Sequence, residues 1–144
     1  GYFSDQILRS TQPATLHLID IDLSQILYDK YPLQAAIGRG VVKLHEGKSA
    51  QVLSSFPDHC LDWIYIDGDH SYQGVMKDIE QAVRVVKPDG LLIFNDYTKY
   101  SPLGLSQYGV MEAVNELCIT HDYEMTGLAL HGLGYHDVIL KKML

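Results

Sequence analysis

The chain has 144 residues, of which 47% are hydrophobic and 20% charged, and its formal net charge is −7 at pH 7. A chain of this length can bury a core within one domain, and its composition is that of a globular protein rather than a disordered one. Proteins that bind nucleic acid phosphates usually cluster Lys and Arg, so the acidic balance disfavours a nucleic acid partner. It favours a small-molecule ligand.

The cysteines and the hydropathy bear on the cellular compartment. Cys60 and Cys118 lack the spacing of a metal-ligand pair, and both stand among apolar residues. They are interpreted as reduced core thiols, which favours a cytoplasmic location. No apolar run approaches the roughly 20 residues that cross a bilayer, and no signal segment opens the sequence, so we expect no membrane partner. Homo-oligomer formation is left open.

Apolar periodicity predicts a helix first and then strands and helices in alternation. The first helix begins near Ser4 and ends before Pro13, which cannot continue it. The further predicted strands are 15–20, 40–47, 61–67 and 91–96, and the further predicted helices are 23–32, 49–58, 71–90 and 108–121. Beyond them, two apolar segments flank Gly132 and Gly134, which predicts an antiparallel hairpin.

Strands that are apolar throughout and separated by helices are typical of a parallel sheet covered on both faces. The sequence therefore predicts the α/β fold class. We expect one Rossmann-like domain over residues 1–144, with a doubly wound, mostly parallel sheet that ends in the antiparallel hairpin.

In such sheets, ligands bind outside the carboxyl ends of the strands. Asp20 ends the first predicted strand and lies 19 residues after Gly1, close to the spacing of about 20 between the glycine loop and the ribose-binding acid of dinucleotide folds. We interpret Asp20 as a ribose ligand, because its carboxylate can accept both hydroxyl protons. Asp22, directly before the next helix, is interpreted as a helix-entry residue.

The segment "WIYIDGDHSY" (63–72) delivers three polar side chains to a strand end. Asp67, Asp69 and His70 follow the third predicted strand. An imidazole titrates near neutral pH, so His70 suits proton removal. One of the two aspartates can instead cap the helix that begins near Ser71. For Asp69 the ligand and the capping interpretations are equally good.

The fourth predicted strand ends in two further oxygen donors, Asn95 and Asp96. Carboxylate and amide oxygens are the ligands that Mg²⁺ takes from proteins. Because the carboxyl ends of neighbouring parallel strands meet at one edge, Asp67, Asn95 and Asp96 form a candidate cation site.

Several segments together resemble the class I methyltransferases that depend on S-adenosylmethionine (SAM). They are "LIDID", "LHEGKS", "LDWIYIDGDHSYQGV", "VVKPDGLLIFNDY" and the terminal hairpin, and they extend over essentially the whole chain. Within that class, the sequence is most similar to small-molecule O-methyltransferases of the macrolide-sugar and catechol types, many of which use Mg²⁺. The resemblance implies SAM-dependent methyl transfer to a small-molecule acceptor, with a hydroxyl oxygen as the expected site and Mg²⁺ assistance left open.

The resemblance also implies roles for individual residues. The implied cofactor-binding residues are Gly1, Asp20, Ile21, Gly47, Lys48, Ser49 and Asp67. Among them, Ile21 would lie against the adenine, and the segment 47–49 would line its pocket. The implied metal ligands are Asp67, Asn95 and Asp96, and the implied catalytic residues are His70 and Asp67. His70 stands three residues after Asp67, where the catechol-type enzymes place a catalytic lysine.

The chain departs from this pattern in two places. Gly1 matches only the last glycine of the family's glycine motif, so we expect a strand and the rest of that motif to precede it. Asn95 and Asp96 stand where relatives carry two carboxylates or Asp then Asn. Two other functions are left open: a catalytically idle Rossmann-like domain that binds a nucleotide or a protein, and a nicotinamide-dependent enzyme. The latter normally has a sixth parallel strand in place of the hairpin.

Overall fold

The structure is a computed structural model, and it describes residues 2–27 and 33–143. The chain divides into two compact units, Gly1–Val52 and Leu53–Leu144. The single domain expected from the sequence stays a prediction. No helix within the described residues is long and apolar enough to span a bilayer.

The first unit is built on two parallel strands. Its elements are α1 (Tyr2–Thr11), β1 (Leu16–Asp20), α2 (Ser24–Leu27), α3 (Leu33–Gly38), β2 (Val42–Glu46) and α4 (Ser49–Leu53), which ends just past the unit boundary. β1 and β2 pair in register from Leu16 opposite Val42 to Asp20 opposite Glu46. α3 packs against β2 and buries Leu33 and Ala36 completely. The register brings the carboxyl ends of both strands to one edge.

The second unit is a four-stranded mixed sheet with helices. Its elements are β3 (Leu61–Ile66), α5 (Tyr72–Val85), β4 (Val86–Phe94), β5 (Tyr100–Ser101), β6 (Ser106–Gln107), α6 (Val110–Thr120), β7 (Tyr123–Ala129) and β8 (Asp137–Lys142). The sheet order is β3-β4-β8-β7, with β3 and β4 parallel and the other pairs antiparallel. The predicted α/β class and the antiparallel hairpin are confirmed.

The core of the second unit follows from the apolar periodicity of its elements. Val75, Ile79 and Ala82 recur at three- and four-residue spacing on α5 and are buried. They join a cluster that includes Phe94 of β4 and Leu140 of β8. This core fixes the sheet whose strand ends carry the polar residues of interest.

Two predicted helix ends are wrong, and one of them is that of the helix predicted over 49–58, which ends at Leu53. The helix predicted over 71–90 ends at Val85, and the strand predicted from 91 begins at Val86. Pro88 explains this, because proline cannot donate within a helix and disfavours helical geometry at the residue before it. The pairing with β3 shifts register across this segment, and a Cβ on Gly90 would lie 2.7 Å from the Asp62 carbonyl oxygen. The proline and the glycine therefore form an irregularity within the strand.

Two further differences concern short elements. The helix predicted over 23–32 is observed as α2, and residues 28–32 lie outside the described residues. α3 follows without having been predicted. The segment 98–107, predicted as a loop, contains the small β5–β6 hairpin, in which Ser101 is buried. The Oγ of Ser101 lies 2.7 Å from the hydroxyl oxygen of Tyr135, which ties this hairpin to the segment before β8.

Candidate functional site

In the first unit, the ends of β1 and β2 bring together two residues that the sequence assigned to a cofactor. The backbone N–H of Gly47 donates to the carbonyl oxygen of Asp20 at 2.9 Å. The Asp20 side chain is exposed, and its Oδ1 accepts from the backbone N–H of Asp22 at 3.0 Å. Ile21 is 73% exposed beside it. A carboxylate and an apolar side chain are thus presented together at one strand edge.

The segment after β2 adds the remaining cofactor candidates of this unit. Gly47 has φ +149°, and a Cβ there would lie 3.2 Å from Val52 Cγ2, so this turn requires glycine. Lys48 is exposed, and Ser49 begins α4. Gly1, the other glycine assigned to the cofactor, lies outside the described residues.

Asp22 serves the helix rather than a ligand. Its Oδ1 accepts from the backbone N–H of Ser24, the first residue of α2, at 2.9 Å. Hydrogen bonds from the side chain and the backbone of Ser24 hold the pKa of Asp22 below its usual value. This agrees with its interpretation as a helix-entry residue.

In the second unit, His70 lies between two carboxylates. Its Nε2 atom is 3.3 Å from Asp96 Oδ2 and 3.6 Å from Asp67 Oδ1. This nitrogen is buried and forms no well-aligned hydrogen bond. The ring stacks on Tyr108, with centroids 4.5 Å apart and planes inclined by 15°. The backbone N–H of Gly109 donates to the His70 carbonyl oxygen at 2.8 Å. The imidazole is therefore held in place by a ring on its face and by carboxylates at its nitrogen.

Asp69 stabilises the turn that leads into α5. Its Oδ1 accepts from the backbone N–H of Ser71 at 2.9 Å, and Ser71 in turn accepts from the backbone N–H of Gly74 at 3.1 Å as the N-cap. Hydrogen bonds from Ser71 lower the pKa of Asp69. Of the two interpretations left open by the sequence, this geometry supports helix entry.

Asp96 turns the chain at the end of β4. Its φ of +55° is in the left-handed region, which Asp tolerates better than most side chains. The backbone N–H of Thr98 donates to its carbonyl oxygen at 2.6 Å. Burial raises the pKa of the Asp96 carboxyl, and Asp137 adds to this, whereas His70 opposes it. The turn directs the carboxylate toward His70 rather than along the strand.

Asn95 belongs to a hydrogen-bonded network that the sequence did not reveal. Its Nδ2 donates to the Tyr65 hydroxyl oxygen at 3.0 Å and to Asp137 Oδ1 at 2.9 Å. The Tyr65 hydroxyl donates to Asp137 Oδ2 at 3.1 Å. Tyr65 stands two residues before Asp67, which directly follows β3; this spacing favours one face of the sheet for both side chains and was a usable signal. Asp137 had no such signal, because its role depends on β8 returning beside β4.

The donor chemistry fits a hard cation only if Asn95 takes part. Within residues 2–27 and 33–143, no group of three or more His, Cys, Asp or Glu side chains is arranged to hold a metal ion. Asp67 and Asp96 supply two carboxylates near the same His70 nitrogen, and Asn95 adds an amide oxygen from the adjoining position. Two carboxylates and an amide oxygen match the ligand preference of Mg²⁺.

Comparisons with known proteins bear on the family and the fold. A family profile described as "Methyltransferase domain" matches residues 2–97. An uncharacterised protein of Acanthamoeba polyphaga mimivirus is 37% identical over 68 residues, which are 46% of this chain and 28% of the viral protein. The chain thus spans little more than a quarter of that relative.

Two solved structures are similar in fold. One is the O-methyltransferase TomG from Streptomyces achromogenes, involved in tomaymycin synthesis and solved in complex with SAM. It has a TM-score of 0.73 and 16% identity, and the match covers 100% of this chain and 69% of TomG. The other is an O-methyltransferase family 2 protein from Planctomyces limnophilus in complex with apigenin. It has a TM-score of 0.71 and 14% identity, and the match covers 99% of this chain and 48% of that protein. Because the family profile matches well over half of the sequence, the chain belongs to the methyltransferase-domain family, and its α/β fold is the Rossmann-like fold of these enzymes.

Proposed function

We propose that this protein transfers a methyl group from SAM to a hydroxyl oxygen of a small molecule. The observation that carries the proposal is the His70 imidazole, whose buried Nε2 lies within 3.6 Å of carboxylate oxygens from both Asp67 and Asp96. A base of this type at a strand-end edge suits proton removal from an acceptor. Support for SAM comes from membership of the methyltransferase-domain family and from the SAM complex of TomG.

The cofactor is assigned to the residues at the strand ends of the first unit. The exposed Asp20 carboxylate can accept hydrogen bonds from both ribose hydroxyls, and Ile21 beside it offers an apolar side chain to the adenine. The turn at Gly47 leaves room for close approach of a ligand. Lys48, Ser49 and Gly1 complete the set proposed for the first unit.

When bound, SAM would supply the methyl group of its positively charged sulfur: the acceptor oxygen would bond to that carbon in line as the carbon–sulfur bond breaks, and the sulfur would leave as a neutral thioether. Such a step needs little covalent help from the protein, and correct positioning of two reactants can lower a barrier by roughly 7–11 kcal/mol. His70 receives the acceptor proton in this scheme. Asp67 and Asp96 lie where they attract the positive charge that the ring gains.

A divalent cation such as Mg²⁺ is proposed at Asp67, Asn95 and Asp96. When bound, it would lower the pKa of the acceptor hydroxyl. The three side chains supply oxygen ligands, and Asp96 is already turned toward the site by its left-handed backbone. A cytoplasmic location, the absence of nucleic acid and membrane partners, and the oligomeric state stay predictions from the sequence.

Replacing His70 tests the proposed base. Methyl transfer from labelled SAM to a panel of phenolic and sugar acceptors should show that His70→Gln lowers kcat by about 10²–10⁴-fold, the usual contribution of a positioned base. SAM affinity, measured by calorimetry, should change little. Asp69→Asn is the control, because Asp69 serves helix entry, and its kcat should stay close to that of the unaltered protein. Near-normal kcat in His70→Gln would show that another group removes the proton.

Metal removal tests the proposed cation separately. Treatment with a chelator should abolish most of the turnover, and added Mg²⁺ should restore it, because an acceptor hydroxyl loses its proton less readily without the cation. Turnover that is unchanged by chelator would reject the cation while leaving SAM-dependent transfer in place.

A further inference from the structure

The Tyr65, Asn95 and Asp137 side chains come from three neighbouring strands of one sheet. Tyr65 lies within β3, Asn95 directly follows β4, and Asp137 begins β8. β4 lies between the other two strands in the sheet order. All three residues are partly buried, so their polar groups need partners within the protein.

Their hydrogen bonds are consistent with one proton arrangement only. An ionised carboxylate only accepts, so the Asn95 atom that lies 2.9 Å from Asp137 Oδ1 must be the nitrogen. The Tyr65 hydroxyl gives its single hydrogen to Asp137 Oδ2 and therefore accepts from Asn95 with its oxygen.

This arrangement uses both amide hydrogens of Asn95. The Oδ1 atom is then the part of the amide left to accept from, or bind to, a ligand. An amide that rotated by half a turn would present its NH₂ group instead, which cannot bind a cation. Tyr65 and Asp137 therefore determine whether the oxygen or the NH₂ group of the Asn95 amide faces the proposed cation site.

The same segment restrains the backbone of the next residue. The backbone N–H of Tyr97 donates to the carbonyl oxygen of His136, directly before Asp137, at 2.6 Å. The left-handed Asp96 thus lies between two attachments, one through the Asn95 side chain and one through the Tyr97 backbone. Both attachments lead to the start of β8.

We propose that Tyr65 and Asp137 are positioning residues that lock the Asn95 amide with its oxygen toward a divalent cation. The inference rests on the cation site of the proposed function. Residues that hydrogen-bond to metal ligands commonly change metal affinity by 10–100-fold when they are replaced. Tyr65 and Asp137 touch neither the cation nor the reacting atoms in this assignment and act only through Asn95.

Cation binding by the protein without acceptor gives the test. Mn²⁺ alone, followed by its electron paramagnetic resonance signal, is the probe, because it takes oxygen ligands as Mg²⁺ does. Tyr65→Phe and Asp137→Asn should each weaken Mn²⁺ binding by about 10-fold or more. Tyr97→Phe is the matched control, since its hydroxyl bonds to Asn115 outside the network, and it should bind Mn²⁺ as the unaltered protein does.

Tyr65→Phe is the more specific of the two variants, because it removes a hydrogen-bonding hydroxyl and leaves every charge near the cation in place. Thermal unfolding checks each variant, and Asp137→Asn carries the test if Tyr65→Phe fails to fold.

SAM calorimetry on the same samples separates the possible failures. The positioning role is overturned if both single variants bind Mn²⁺ as tightly as the unaltered protein. It is also overturned if the unaltered protein binds SAM but no Mn²⁺, in which case methyl transfer without metal survives. An unaltered protein that binds neither would reject the proposed function and this inference together.

Discussion

His17 and His45 share a hydrogen bond between the two strands of the first unit. Their Nδ1 and Nε2 atoms lie 2.9 Å apart, and both rings are partly buried. Burial lowers the pKa of His17, and the charges of His45 and Lys43 lower it further. A single proton between the two ring nitrogens makes this hydrogen bond, whereas two positively charged rings at this distance would repel each other.

This pair predicts a pH-dependent stability. The unfolded chain protonates His17 near its ordinary pKa of about 6.5, and the folded chain does so only at lower pH. The free energy of unfolding should therefore fall as the pH falls through about 6.5, where the unfolded state binds more protons. Urea denaturation across this range should show a smaller pH dependence in His17→Gln, which keeps a hydrogen-bonding group but cannot titrate. Lys43→Gln removes the smallest of the three effects that lower the pKa of His17. Its pH dependence should lie between those of the unaltered protein and His17→Gln. An identical pH dependence in all three proteins would contradict the pairing.

At the residue scale, the sequence identified most of the candidate site and missed its supports. The strand-end positions of Asp20, Asp67 and Asp96 were predictable, because apolar runs mark where strands end. The contact of Tyr65 with Asp137 was not predictable, because the two residues are far apart in the chain and meet only through the pairing of β8 with β4. Spacing in the sequence predicts contacts between residues that are near each other in the chain, and the contact of Tyr65 with Asp137 is not of this kind.

At the scale of elements, α6 approaches α5 closely near His70. Gly109 is the N-cap of α6, and a Cβ there would lie 2.2 Å from the backbone nitrogen of Tyr72 at the start of α5. The Tyr72 hydroxyl also donates to Glu116 Oε2 at 2.6 Å, which ties the two helices further. A side chain at position 109 must push backbone away, because no flexible group can yield.

Gly109→Ala should therefore destabilise the protein by about 1–3 kcal/mol, the usual cost of overpacking. Urea denaturation measures this, and Gly132→Ala is the control, because a Cβ there meets nothing within 4 Å. The control should change the free energy of unfolding by no more than about 0.5 kcal/mol. Equal stability of the two variants would mean that α5 and α6 do not approach each other as closely as the structure has them.

The elements also show where periodicity misleads. Apolar spacing continued the helix of 71–90 past Val85, although Pro88 already argued for an earlier end. The hairpin of β7 and β8 was predictable, because two apolar segments flank glycines that turn the chain. α3 was missed although Pro32, a common first residue of helices, stands directly before it in the sequence.

At the scale of the whole molecule, family and fold support methyl transfer without naming the acceptor. The matched solved structures share 14–16% identity with this chain, which establishes the fold alone. The acceptor therefore has to be found by assay. Cofactor binding is the part of the function that substitutions at the strand ends can test directly.

Calorimetric titration of the protein with SAM tests whether this protein binds the proposed cofactor. The unaltered protein should show saturable binding at one site, and Asp20→Ala should weaken it by about 1.5–3 kcal/mol, the range for a hydrogen bond to a charged group. Asp22→Ala, which removes the neighbouring helix-entry carboxylate, should leave SAM affinity nearly unchanged. Equal affinity in Asp20→Ala and the unaltered protein would reject the ribose assignment, and the absence of saturable SAM binding to the unaltered protein would contradict the account as a whole.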